Sequence, residues 1–131
     1  MVITGFYATL LSFYIFFLVL RVVGLRRKHR VGFLDGGHSD LIKAIRIHGN
    51  AIETIPVALI VMGCAELSHL RVLFMHCAGC LLIFARFYHA FGLSQSQGRS
   101  KGRTYGTLLT WFVIFSLGGY NLFVFARSLF L

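Results

Sequence analysis

Two long uncharged runs lie near the ends of the chain. Val2 to Leu20 reads VITGFYATLLSFYIFFLVL, and Tyr105 to Ala126 is equally free of charge. A bilayer core takes about 20 mostly apolar helical residues, so each run predicts one membrane span. Between them are two apolar runs too short to cross. One follows Glu53 and ends at Ala65; the other runs from Val72 to Ala85. Each reaches spanning length only by taking in its polar end. The second span then includes Arg46, and the third continues through Arg86 and His89 to Leu93. The pattern predicts an all-α integral membrane four-helix bundle, up-down-up-down, as a single domain over 1–131, with spans near 2–24, 42–66, 71–93 and 105–127. The connections are RRKHRVGFLDGGHSD, a tight turn near ELSHLR, and SQSQGRSKGR; Gly and Ser in the first and last suit loops. The first span lacks the basic n-region and small-residue cleavage site of a signal peptide and reads as a helix.

Composition agrees. Of 131 residues 57% are hydrophobic and only 13% charged, against about 25% charged in a soluble domain. Charge adds an orientation. Eleven of the thirteen Lys and Arg flank the first and third connections: Arg21, Arg26, Arg27, Lys28, Arg30, Lys43, Arg46, Arg86, Arg99, Lys101 and Arg103. Only Arg71 and Arg127 lie at the other side. The positive-inside rule puts the two long connections in the cytoplasm and both termini outside. The net charge of +9 then reads as attraction to anionic lipid headgroups. Nucleic-acid binding would need a soluble basic surface and is set aside.

The candidate chemistry sits where the two polar span ends meet. Arg46, Asn50 and Glu53 lie at i, i+4 and i+7, on one helical face, and Arg86 and His89 at i and i+3 on another. His48 points away from the Arg46 face. A charge at the bilayer centre costs about 2.5–3.5 kcal/mol even on lenient scales, so such groups face a bundle interior or a wet cavity. Three readings fit. One is a structural clasp, with Glu53 bridged to an arginine and Asn50 bonded between helices. The second is a ligand site. The third is a proton relay through Glu53. Elsewhere the residue types suggest packing. CAGC, Cys77 to Cys80, has redox-motif spacing but lies inside a span, without the βαβ context of a thioredoxin-type motif. Cys64 is expected to be buried, and no metal site is expected. Gly63, Gly79, Gly118 and Gly119 suit close helix packing, Pro56 a bend in the second helix, and Asp35 a loop or cap.

IRIHGNAIETIP resembles the second-helix signature of the MAPEG superfamily, the membrane-associated proteins in eicosanoid and glutathione metabolism. That signature is Arg, then Asn four residues on, Glu three further and Pro three further; Arg46, Asn50, Glu53 and Pro56 match each step. ARFYHAFGLS, GRTYGTLLTW and HRVGFLDGG resemble the third-helix end, fourth-helix start and first loop of short bacterial members. The resemblance implies a homotrimer in the bacterial inner membrane. Its sites would lie at subunit interfaces, opening to the cytoplasmic leaflet. It implies glutathione as cosubstrate, held by Arg46, Asn50, Glu53, Arg86 and His89, with Arg103 stabilising the thiolate. The reaction implied is a glutathione-dependent transferase or peroxidase step on a lipophilic small molecule. The chain departs from the pattern in places. Leu93 stands where strongly conjugating members carry tyrosine, Gly49 stands where a basic or polar group is common, and Lys101 competes with Arg103 for the thiol. A non-catalytic lipid-binding scaffold of the same fold is the alternative function, and a small proton-coupled transporter using Glu53 the third.

Overall fold

The computed structural model describes residues 1–95 and 100–130. Arg99, like Leu131, lies outside the described residues. Four helices follow in order: α1 (Val2–His29), α2 (Ser39–Leu67), α3 (Val72–Gln95) and α4 (Lys101–Ser128). Each is long and apolar enough to cross a membrane, and together they form the expected all-α four-helix bundle. Helix α2 is central. It touches the other three, whereas among the described residues α1 and α4 do not meet.

One stripe of α1 is buried: Thr4, Tyr7, Leu11, Tyr14 and Leu18. These positions recur every three or four residues, the period that keeps side chains on one helix face. Phe6, Phe13, Phe16 and Phe17 point outward and are more than half exposed. A water-soluble bundle rarely shows so large an apolar surface; a bilayer covers it without cost.

The first helix outruns its expected span, which ends near residue 24, and continues to His29. The reason is local. Arg30 adopts a left-handed conformation with φ 56° and its N–H meets the carbonyls of Arg26 and Arg27, while the N–H of Val31 returns to Arg26. That arrangement closes a helix C-terminus, and the basic last turn favours its dipole. Across the connection Asp40, in the first turn of α2, accepts from His29 Nε2 at 2.9 Å and lies 3.8 Å from Lys28 Nζ. The loop between them turns at Gly36 and Gly37, both with positive φ. Asp35 Oδ1 accepts from the N–H of Gly37 at 2.8 Å, the loop role expected for it. Helix α2 runs unbroken through Pro56.

Helices α3 and α4 pack most closely. A Cβ on Gly92 would strike the backbone of Gly102 and Arg103, and one on Gly106 would stand 2.7 Å from His89 Cβ and 2.8 Å from the Ala85 carbonyl. In lipid no hydrophobic effect drives helices together, so close backbone approach through small residues supplies the contact. These are not the glycines expected. Gly79 does pack against the Tyr7 ring, and Gly63 lies against the side chain of Met1. Gly118 has only a 4.0 Å neighbour, and Gly119 has none. Where two helices touch depends on their crossing, which spacing along one chain does not encode.

Candidate functional site

The polar residues of the two interrupted spans meet at the basic end of the bundle. They surround a cleft of about 810 Å³ lined by Arg46, Asn50 and Glu53 of α2, His89 and Leu93 of α3, and Arg103 of α4. This volume is in the usual range for small-molecule sites, about 300–1,000 Å³. Each helix contributes for a local reason. Helical spacing aligns the three α2 residues. The α3–α4 glycine contact brings Arg103 beside His89. Ser100 caps α4, its hydroxyl accepting from the N–H of Arg103 at 3.3 Å and donating to the Gly92 carbonyl at 2.7 Å. Arg103 thus lies in the first turn of α4, where the helix dipole is positive.

Five of the six candidate residues therefore line one cleft. The sixth, Arg86, lies behind it. It is 1% exposed, and its contacts are all internal. Nη2 donates to Asn50 Oδ1 at 2.6 Å and to His89 Nδ1 at 3.2 Å, and Nη1 donates to Thr110 Oγ1 at 3.3 Å. Asn50 does bond between helices, as a clasp would require, but its partner is Arg86. Glu53 has no ion-pair or hydrogen-bond partner among the described residues, and it is exposed. Among the described residues Glu53 therefore forms no clasp.

Two lining residues carry signals that spacing along the sequence hides. Lys43 and Thr107 line the cleft; in the sequence Lys43 is one of many basic residues flanking the first connection, and Thr107 looks like an ordinary polar residue in a span. Lys43 also donates to the Ser94 carbonyl at 3.2 Å, tying α2 to the end of α3. Lys101 is exposed and does not line the cleft. The lining holds three cations, Lys43, Arg46 and Arg103, and one carboxylate, Glu53. It suits a ligand with more negative than positive charge, able to offer carboxylates to the arginines and a cation to Glu53.

The cysteines lie apart from this cleft. Cys64, expected to be buried, is exposed, as are Cys77 and Cys80, and all three are free. The α2 core face is filled by Ala58, Met62 and Ala65, which leaves Cys64 on the outward side. Cys80 Sγ lies 3.2 Å from the Tyr7 hydroxyl. Cys77 borders an apolar groove of about 350 Å³ between α3 and α4.

A membrane four-helix bundle with a cationic cleft at one end is the class defined by fold and site. The sequence model of the MAPEG family matches residues 4–123, and the chain belongs to that family. It is similar to "Inner membrane protein YecN" of Escherichia coli strain K12, 36% identical over 109 residues, covering 83% of this chain and 82% of that protein. The protein of the same name from Escherichia coli O6:H1 matches equally.

Proposed function

We propose that the protein is a glutathione-binding enzyme of the bacterial inner membrane, a transferase or peroxidase acting on lipophilic substrates. The observation that carries this reading is the convergence of Arg46, Asn50, Glu53, His89 and Arg103 on one cleft. Glutathione has two carboxylates, one amine and two peptide bonds. Arg46 and Lys43 take carboxylates, Glu53 takes the amine, and Asn50 bonds the peptide backbone. Arg103 stands beside the thiol. A positive charge there favours thiolate over thiol, and the N-terminus of α4 adds to it. The thiolate then attacks an electrophile that arrives through the lipid. The basic end faces the cytoplasm, both termini lie outside, and the chain assembles as a homotrimer in which a neighbouring subunit closes the cleft over the exposed Glu53. The name of the bacterial relative supports the membrane assignment. One observation favours a second reading: Leu93 puts an apolar wall in the cleft, which suits a scaffold that presents a lipid without chemistry.

Turnover of a chromogenic electrophile by purified protein with glutathione tests the first reading. Arg103→Ala is expected to slow it about a hundredfold, with retention on immobilised glutathione little changed. Lys101→Ala is expected to leave the rate intact. Binding without turnover would support the scaffold, and no retention at all would end the glutathione reading.

A further inference from the structure

Arg86 is a formal cation 1% exposed inside a membrane bundle, and among the described residues it has no carboxylate partner. Such a residue is costly to keep. Its hydrogen bonds indicate its role. A guanidinium carries only donors, so every atom facing it must accept. The Asn50 amide must therefore turn its oxygen to Arg86 Nη2, at 2.6 Å. The same nitrogen faces His89 Nδ1 at 3.2 Å, so Nδ1 must carry a lone pair and the ring proton must sit on Nε2. The Thr110 hydroxyl donates to the Gly106 carbonyl at 2.9 Å and so offers Arg86 Nη1 a lone pair as well. The Tyr14 hydroxyl donates to the carbonyl of Arg86 at 3.2 Å and holds the α3 backbone there. Hydrogen bonding across the network thus runs in one direction.

Asn50 and His89 both line the cleft, and Arg86 does not. The single lone pair of His89 Nδ1 is taken from behind, so that ring has only Nε2–H left to offer, and the Asn50 oxygen is drawn back to Arg86, which leaves the amide NH2 on the opposite side. Neither the Asn50 amide nitrogen nor His89 Nε2 has a partner among the described residues, and neither is a buried orphan. We propose that Arg86 is a positioning residue that never touches the ligand. By orienting the Asn50 amide through its oxygen and filling the lone pair of His89 Nδ1 it makes both present N–H donors to the cleft, so the ligand group seated against them is a carbonyl or carboxylate oxygen. The direction of these bonds deepens the glutathione reading and rests on it for the ligand's identity. The state of the His89 ring does not rest on it.

The test uses the full chain in detergent, labelled with ¹⁵N in histidine and asparagine side chains, and glutathione as the probe. Arg86→Lys keeps the charge and loses the planar fork. In the native protein His89 is expected to show a single neutral tautomer at neutral pH, protonated at Nε2. In folded Arg86→Lys both tautomers are expected, and glutathione should bind roughly tenfold more weakly, the loss of about one well-made hydrogen bond. A purely structural Arg86 would lower the melting temperature and leave the tautomer and affinity of the folded variant unchanged; that result would overturn the proposal. So would a native His89 protonated at Nδ1. If Arg86→Lys does not fold, the native protein decides. Saturating glutathione should shift the Asn50 amide resonances, and their indifference would refute the donor role. If glutathione binds neither protein and the tautomer change still appears, the positioning role stands and the glutathione reading fails.

Discussion

Glu66 and Glu53 share helix α2 and serve opposite ends of the bundle. Glu66, at the end away from the basic loops, reaches the start of α1. Its two oxygens accept from the backbone N–H groups of Ile3 at 2.9 Å and Thr4 at 2.8 Å. Those donors have no partner within α1's first turn, so Glu66 caps a helix from another helix. Glu53 faces the cleft with neither oxygen bonded among the described residues. The contrast extends to their surroundings. Near Glu66, side chains bond backbone carbonyls: Tyr120 donates to that of Ser68, at the C-cap of α2, and Asn121 to that of Val61. Near Glu53, side chains bond one another, with Arg86 between Asn50, His89 and Thr110. A polar group that completes the backbone explains itself. The set around the cleft, with the open carboxylate of Glu53, is what the proposed glutathione site rests on.

Glu66→Ala should produce the largest loss. It strands two N–H groups and should cost about 2–4 kcal/mol, read as a lower melting temperature in detergent, while the folded fraction still binds glutathione. An unchanged melt would erase the contrast between the two ends. Gly106→Ala comes next. The added methyl pushes α3 from α4 beside His89, an overpacking cost of about 1–3 kcal/mol, and it should weaken glutathione binding by shifting His89 and Arg103. Gly119→Ala, in open space, should leave the melt within about 0.5 kcal/mol or slightly improved. The smallest effect on stability belongs to Glu53→Gln, within about 0.5 kcal/mol, yet retention on glutathione should fall about tenfold with loss of a charged partner for the amine. A lower melt with retention intact would make Glu53 a clasp.

The four helices could be read from the chain because apolar length suffices for a span and a charge near its end must go somewhere polar. The alignment of Arg46, Asn50 and Glu53 followed from helical period alone, and so did the turning away of His48. The sequence by itself therefore determined the number of helices, their lengths to within a turn or so, and the face of α2 that carries the cleft. It did not separate Arg46 from Arg86. Both are arginines at the polar end of a span, but Arg46 is exposed in the cleft and Arg86 is buried behind it. That difference is set by what α2 and α4 place opposite each side chain. Nor did it separate Lys101 from Arg103, two residues apart and on different faces of α4, because the register of a helix against its neighbours is a property of packing. Gly92, Gly102 and Gly106 matter and Gly119 does not for the same reason. Only the tertiary structure decided these, since a contact between helices depends on where their axes cross and which atoms then come within reach.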